Sequence, residues 1–377
     1  MLFLHTSDWH LGASDGEFEL QEDQRFFIDE ICRIIQERHV DAVLLAGDVF
    51  DRAVASASAI RLFDYAMDRF CLEFNRRVIA IAGNHDSAER LSSCGNLLEK
   101  AGLYICGALE AEPKVIPFDD SEVFLLPWIT EEKVKSLYPD EREGIHSLND
   151  AYRVVTGHMR SRFTPGKKHI VIAHAFISNA ETSTSDHAAE IGFAAQVSAS
   201  VFDGFDYVAL GHLHKPQNVN KQIRYCGTPM PYSFGKEESQ EKSVTLLDTK
   251  TMLQEVIPLP LLHRRTTLTG PYKTLLNTVC TEEEQNGYVR LNVTDTAVGL
   301  DLLSMLRQVY PLLVVSGKTY DEGESTITLT VEDLEKLESD PREVFKSFCR
   351  EETGQEATPH FIDLFERAVK QSEEEAQ

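Results

Sequence analysis

Five apolar runs in this chain each end in side chains able to ligate a metal ion. Leu2, Phe3 and Leu4 run into Asp8-Trp9-His10, Val43 to Leu45 into Gly47-Asp48-Val49-Phe50-Asp51-Arg52, and Val78 to Ile81 into Gly83-Asn84-His85-Asp86. Further on, Ile170 to Ile172 leads to His174, and Val208 to Leu210 leads to Gly211-His212-Leu213-His214. Asp8, Asp48, Asn84, His10, His174, His212 and His214 thus offer two carboxylates, an amide oxygen and four imidazoles. This mixed set is too rich in nitrogen for Mg²⁺ or Ca²⁺ and lacks the thiolates of structural zinc, so it suits Mn²⁺, Fe²⁺ or Zn²⁺. Seven donors exceed what one catalytic ion with an open position needs. Two ions with a shared ligand is the economical reading, and Asp48 is the natural bridge. Gly47, Gly83 and Gly211 each precede a donor, where the strand must turn sharply and the backbone approach the ions.

Such donors meet only if the elements bring them to one edge. The first hundred residues alternate short apolar strands (Leu2 to Thr6, Ala42 to Ala46, Val78 to Ala82) with helical patterns. Phe27, Ile31, Ile34 and Ile35 share one helix face, with Glu22 and Asp23 at its start and Arg38 and His39 at its end. Ala59 to Phe74 and Glu89 to Ala101 predict two more helices. The strands carry little alternation, which predicts burial on both faces. Further strands are expected at Val123 to Leu126, His169 to Ala173, Tyr207 to Leu210, Ile223 to Cys226 and Val244 to Asp248. In an open α/β sheet the carboxyl ends of the strands share one edge, so all seven donors converge there.

Beyond Pro258-Leu259-Pro260 and His263-Arg264-Arg265 the pattern changes to a small α+β module. Its expected parts are Tyr288 to Val293 (strand), Leu300 to Val309 (helix), and Leu312 to Val315 and Ser325 to Thr330 (strands). Asp340-Pro341-Arg342-Glu343 then forms a helix-starting capping box, and Thr358-Pro359 offers a second start. The two helices present Val344, Phe345 and Phe348, and Phe361, Leu364, Phe365 and Ala368. Two short helices cannot bury four phenylalanines alone.

The 377 residues, with 42% hydrophobic content, suffice for two or three cored domains and exclude disorder throughout. With 61 acidic against 37 basic residues the net charge is −24, which argues against coating nucleic acid through a basic surface. A third of that charge lies in Glu332 to Gln377, which holds 14 acidic and 6 basic residues. The seven cysteines are scattered without a C-x-x-C pair, so they are expected to be reduced and structural. No basic leader and no apolar run of ~18 residues is present, which predicts a soluble cytoplasmic protein without membrane association. His5 is expected in the core or behind the donors, and His146, His158, His169 and His187 match no motif. The basic run Arg160, Arg162, Lys167 and Lys168 reads as a solvated helix end and loop.

Taken in order, D-x-H, G-D-x-x-D-R, G-N-H-D, a strand-end His and G-H-x-H, the motifs resemble the calcineurin-like metallophosphoesterases. The longer stretches H-T-S-D-W-H-L-G (5–12), A-G-D-V-F-D (46–51), A-G-N-H-D-S (82–87), A-L-G-H-L-H-K-P-Q (209–217) and R-Y-C-G-T-P (224–229) are similar to the SbcD nuclease branch. The resemblance implies a four-layer α/β fold, a β-sandwich flanked by helices, with a small α+β capping domain and a C-terminal helical tail. The implied division is a nuclease domain at 1–265, a DNA-binding cap at 266–335 and a tail at 336–377. By resemblance, Asp8, His10, Asp48 and His214 hold one ion, and Asp48, Asn84, His174 and His212 the other, most simply both Mn²⁺. His85 faces the scissile phosphate, and Asp51 orients it. Arg52 and Lys215 are candidate contacts to the DNA backbone.

The branch further implies hydrolysis of DNA in repair, replication and recombination. Its members act with SbcC, an SMC-type ATPase, as 3′ to 5′ exonucleases on duplex ends and as endonucleases on single strands and hairpins. ATP belongs to that partner. Also implied are a nucleoid-associated location, a homodimer within a heterotetramer using Leu62, Tyr65 and Ala66, and docking on SbcC through Phe345, Phe348, Phe361 and Phe365. The rival readings are a related enzyme acting on nucleotides or phosphoproteins, and a non-catalytic scaffold of the same fold.

Overall fold

The computed structural model describes residues 1–15, 18–183, 185–186, 196–277, 281, 286–295, 300–314 and 362. The helices expected from Asp340 and Thr358, with Phe345, Phe348, Phe361 and Phe365, lie outside the described residues, as do the strand expected at Ser325 to Thr330 and His187. In chain order, the strands of the two large sheets are β1 (Leu2–Thr6), β2 (Ala42–Ala46), β3 (Arg77–Ile81), β4 (Leu103–Cys106), β5 (Val115–Pro117), β6 (Ser121–Leu126), β7 (Lys168–His174), β8 (Tyr207–Gly211), β9 (Gln217–Asn218), β10 (Ile223–Tyr225), β11 (Ser243–Asp248) and β12 (Gln254–Pro258).

These strands form two six-stranded sheets, ordered β12-β11-β1-β2-β3-β4 and β9-β10-β8-β7-β6-β5. In the first, β1 to β4 run parallel and β11 and β12 close one edge antiparallel. In the second, β6, β7, β8 and β10 run parallel between antiparallel edges. Alternate residues of the two sheets meet between them. Phe3, Leu44, Ile79 and Ile81 from one side pack with Val123, Leu125, Ile170 and Ile172 from the other.

The opposite face of each sheet is also apolar, and helices cover it. Leu4, Val43, Leu45 and Val78 pack under α1 (Gln21–Glu37) and α2 (Ala57–Met67). Val171, Ala173, Val208 and Leu210 pack under α4 (Leu148–Ser161), which follows the shorter α3 (Glu131–Leu137). The result is the expected helix, sheet, sheet, helix layering. Each buried Leu or Ile contributes about 1.5–3 kcal/mol, so the inner strands, dry on both faces, are firmly held.

Two helix expectations need correction. The pattern at Glu89 to Ala101 breaks into Ala88–Leu91, Gly95–Leu98 and a 3-10 turn at Glu99–Ala101. Ser92, Ser93 and Gly95 are weak helix formers, and Cys94 between the pieces takes a left-handed φ of 59°. The helix expected from Ala59 to Phe74 is α-helical only to Met67 and continues as π-helix over Asp68–Glu73. Of helix α4 the sequence expectations held only the end, at Arg160, although Leu148, Ala151, Tyr152, Val155 and Met159 hold one buried face and Ser147 caps its start by accepting from the Asp150 N–H at 3.2 Å.

After the main body a third, parallel sheet follows: β13 (Arg265–Gly270), β14 (Tyr288–Val293) and β15 (Leu313–Val314). Helix α5 (Leu300–Val309) supplies Leu306 to its small core beside Leu275, Val289, Tyr310 and Leu313. β14 and α5 fall where they are expected. β13 is an addition, because Arg265 reads in sequence as the end of a domain exit. Tyr288 Oη donates to Asp23 of α1 at 3.0 Å, and His263 Nδ1 lies 3.1 Å from the same carboxylate.

Candidate metal centre

The carboxyl ends of β1, β2, β3, β7 and β8 deliver the donors. Past their strands, the loops after β1 and β2 run side by side: the N–H groups of Asp8, His10 and Leu11 donate to the carbonyls of Gly47, Asp48 and Val49 at 3.0, 3.0 and 2.9 Å. Asp8, His10, Asp48 and His212 all take positive φ, at 52°, 42°, 47° and 101°. For residues other than glycine each such conformation costs on the order of 1–3 kcal/mol and persists only where the surroundings impose it. Here it turns four donor side chains out of the strand direction into one space.

Asp86 is a main restraint on these loops. Its carboxylate accepts the N–H groups of Val49 and Gly83 at 3.0 Å and of Phe50 at 2.9 Å, tying the β2 loop to the β3 loop. Burial, with Asp48 nearby, raises its pKa to about 6. The glycines are needed for close approach. A Cβ on Gly47, whose φ is +87°, would lie 2.3 Å from His174 Nδ1, and one on Gly83 would lie 2.1 Å from Asp48 Oδ1.

All seven expected donors come together. His174 Nδ1–H donates to the Ala46 carbonyl at 2.8 Å, which turns Nε2 toward Asp48 Oδ2 (3.2 Å) and Asn84 Oδ1 (2.9 Å). His212 Nδ1 is 3.1 Å from the same Asn84 oxygen, and its N–H donates to Asp8 Oδ1 at 2.9 Å. His10 Nε2 lies 3.1 Å from His214 Nε2 and 3.8 Å from Asp48 Oδ2. Donor atoms of Asp8, His10 and His214, and of Asp8, Asp48 and His174, lie within 4.8 Å of one another.

The electrostatics fit cations. Asp8 Oδ2 and His10 Nδ1 are buried with no hydrogen-bond partner, a costly state unless a cation satisfies such groups. Burial pushes Asp8 up to about 7 and lowers His10 to about 4, His212 to about 3 and His214 well below its usual value. Neutral imidazoles are the ligating form. Burial would raise Asp48, yet His174, His10 and His85 hold it well below the carboxylate range, and Asp48 in turn holds His174 up to about 9 against burial. The donor set, the two unsatisfied atoms and the crowding on Asp48 all suit two divalent cations around one shared carboxylate.

His85 stands beside this set, its ring 4.8 Å from that of His10. Its N–H donates to Asp48 Oδ1 at 3.0 Å and its Nδ1–H to the Asp51 carbonyl at 2.8 Å. It is thus the main chain of Asp51, not its carboxylate, that the His85 ring touches. The Asp51 carboxylate instead lies 4.0 Å from His10 Nδ1 and pairs with Arg52 at 3.3 Å.

Other expectations divide. Arg52 is 78% exposed at the rim, whereas Lys215 is paired with Glu181. Leu62 and Ala66 are buried in the chain's own core, so they are not surface residues for dimerisation. The geometry of α2 turns them inward, and Tyr65, half-buried and bonded to Asp29, stays partly accessible. His5 is core, its Nδ1 2.9 Å from Tyr207 Oη. Arg160, Arg162, Lys167 and Lys168 are spent on local carbonyls and carboxylates. Sequence reasoning missed Trp128, stacked on His212 at 5.3 Å, and the buried Glu237 and Lys242 beside His214. Trp128 follows no motif, and the two charges lie over twenty residues from their histidine.

Among the described residues no helix is long and apolar enough to cross a membrane. Residues 1–216 match a family model described as calcineurin-like phosphoesterase, and residues 261–353 one described as the type 5 capsule protein repressor C-terminal domain. Over 360 residues, 94% of either chain, the sequence is 29% identical to the SbcD subunit of the nuclease SbcCD of Staphylococcus epidermidis. Solved structures that it is similar to include GAP50, the anchor in the inner membrane complex of Plasmodium (11% identity, 69% of this chain and 89% of that one, TM-score 0.40). Another is a dimetal phosphatase from Danio rerio (12% identity, 65% and 91%, TM-score 0.38); at such scores neither bears on function.

Proposed function

The chain belongs to the calcineurin-like phosphoesterase family, and from that premise we propose that it is the nuclease subunit of an SbcCD-type complex, hydrolysing DNA phosphodiester bonds. The observation that carries hydrolysis is the cluster of seven candidate ligands that includes Asp48, with two buried atoms left for cations to satisfy. What narrows the phosphoester to DNA is the end-to-end similarity to a nuclease subunit. One cation would be held by Asp8, His10, Asp48 and His214, and a second by Asp48, Asn84, His174 and His212; the mixed oxygen and nitrogen set favours Mn²⁺. Bound there, divalent cations supply Lewis-acid polarisation of the phosphate and lower the pKa of water.

The chain's own residues do the rest. The Nδ1–H bond to the Asp51 carbonyl fixes the His85 ring, so that its Nε2 is the atom to steady charge on the phosphate and to pass a proton to the leaving sugar oxygen. Asp48 would serve both cation sites, and its carboxylate also accepts the His85 N–H, which keeps acid and centre in register. Arg52, exposed at the rim, is assigned to the DNA backbone.

With a net charge of −24, this chain alone would bind DNA weakly and with strong salt dependence. That favours help from an SbcC-type ATPase bound through residues 336–377, with residues 266–335 as the DNA-binding cap of the nuclease domain at 1–265. The test is the purified chain, with and without that partner and ATP, on end-labelled hairpin and blunt duplexes in MnCl₂ or MgCl₂. Nicked or shortened DNA in MnCl₂ is expected. Turnover of a nitrophenyl phosphomonoester far above that of DNA would overturn the assignment.

A further inference from the structure

His214 is backed by a chain of polar groups, half-buried at Ser185 and buried at Glu237 and Lys242, that the hydrolysis does not use directly. Its Nε2 faces the centre, 3.1 Å from His10 Nε2, and its Nδ1 is hydrogen-bonded to Ser185 Oγ. Ser185 Oγ donates in turn to Glu237 Oε1. The other Glu237 oxygen accepts the Tyr232 N–H at 2.9 Å and lies 3.4 Å from the Lys242 ammonium. Both side chains of that pair are wholly buried. Lys242 donates further to the His214 carbonyl at 3.2 Å and to Thr228 Oγ1 at 2.8 Å, while the His214 N–H donates to Asp186 Oδ1 at 3.1 Å.

Counting protons along this chain fixes the histidine. A carboxylate beside an ammonium only accepts, so the single Ser185 hydroxyl proton goes to Glu237. Ser185 Oγ must then accept from His214, which puts the imidazole proton on Nδ1 and leaves a bare lone pair on Nε2, aimed at the centre. A fully buried ion pair is an expensive feature in a protein interior unless its hydrogen bonds are satisfied, and here they are.

We propose that Lys242, Glu237 and Ser185 act as a positioning relay that sets the tautomer of His214 and so the cation affinity of the site it shares with Asp8 and His10. The proposal rests on the two-cation reading above. Because the relay acts through His214, none of its members is a catalytic residue. Ser185→Ala removes the hydroxyl at little structural cost. Glu237→Gln keeps the shape but lets an amide N–H donate to Ser185, so that the hydroxyl proton turns toward Nδ1 and the tautomer inverts.

The experiment uses the full chain and two readouts. Titration with MnCl₂ is expected to give two equivalents in the parent, and in Ser185→Ala one of them weakened about 10–100-fold with the other unchanged, restored by Ser185→Thr. Long-range ¹⁵N spectra of the metal-free chain are expected to show His214 protonated on Nδ1 in the parent and shifted toward Nε2 in Glu237→Gln. Unchanged Mn²⁺ affinities in Ser185→Ala, or an unchanged His214 spectrum in Glu237→Gln, would overturn the relay. Fewer than two equivalents in the parent would instead overturn the two-cation reading, and the metal-free spectra would still decide the relay.

Discussion

The ring of His85 is tied to Asp51 through the main chain, Nδ1–H donating to the Asp51 carbonyl at 2.8 Å, while the Asp51 carboxylate turns toward His10 and Arg52. A carbonyl survives any substitution of its own side chain. His85→Asn is therefore expected to lower DNA cleavage by about 10²–10⁴-fold, the usual worth of a general acid, with two equivalents of Mn²⁺ retained. Asp51→Asn should leave cleavage near the parent level. Metal content measured beside cleavage separates the cases: depleted metal in His85→Asn would make His85 a ligand.

Asp48 sits where the two halves of the candidate centre meet. His174 Nε2 is 3.2 Å and His10 Nε2 3.8 Å from its Oδ2, and the His85 N–H is bonded to Oδ1. Asp48→Ala is expected to remove both equivalents of Mn²⁺. With them should go the rise in melting temperature that saturating MnCl₂ gives a chain binding it only when folded. A variant that still holds two ions would refute the shared carboxylate.

The donors were legible in the sequence because each sits just past a strand whose apolar run is unbroken, and parallel strands share a carboxyl edge. That logic located Asp8, Asp48, Asn84, His174 and His212 without tertiary information. It also located the eight inner strands of the two sheets, since residues such as Val43 to Leu45 are dry on both faces, but not the four edge strands β4, β5, β9 and β12. What remained hidden depends on contacts distant in sequence. No local pattern tells that Asp86 clamps two loops, that Trp128 stacks on His212, or that Glu237 and Lys242 stand behind His214. The inward turn of Leu62 and Ala66 was obscured because an apolar helix face reads the same whether its own sheet or a second copy covers it.

His5 provides a pH dependence separate from the ligands. Burial, with Arg224 nearby, lowers its pKa to about 3, so the folded chain keeps it neutral. Unfolded, it titrates near 6.5, and below that pH the unfolded chain binds the extra proton. This contribution to stability is therefore complete above about pH 6.5 and declines as pH falls from there toward 3, at about 1.4 kcal/mol per pH unit for this single group. Urea unfolding of the metal-free chain between pH 7 and 4 is expected to show a steeper decline for the parent than for His5→Gln. Equal slopes would mean that His5 takes up its proton without unfolding.

Two glycines make a matched comparison of close approach. A Cβ on Gly83 would lie 2.1 Å from Asp48 Oδ1 and 2.5 Å from the Asp48 nitrogen, whereas one on Gly144 meets nothing within 4 Å. The Asp48 loop cannot yield freely, because Asp86 holds both Val49 and Gly83. Gly83→Ala is thus expected to cost about 1–3 kcal/mol by overpacking. It should also weaken both equivalents of Mn²⁺, since the atom displaced belongs to the shared carboxylate. Gly144→Ala should be neutral or stabilising by up to about 1 kcal/mol through the unfolded chain. Chemical denaturation and MnCl₂ titration of the two variants check both halves. A Gly83→Ala chain with parental Mn²⁺ affinity would mean that the loop after β3 can retreat without moving Asp48, and that the packing of Gly83 against that carboxylate is not what holds the centre together.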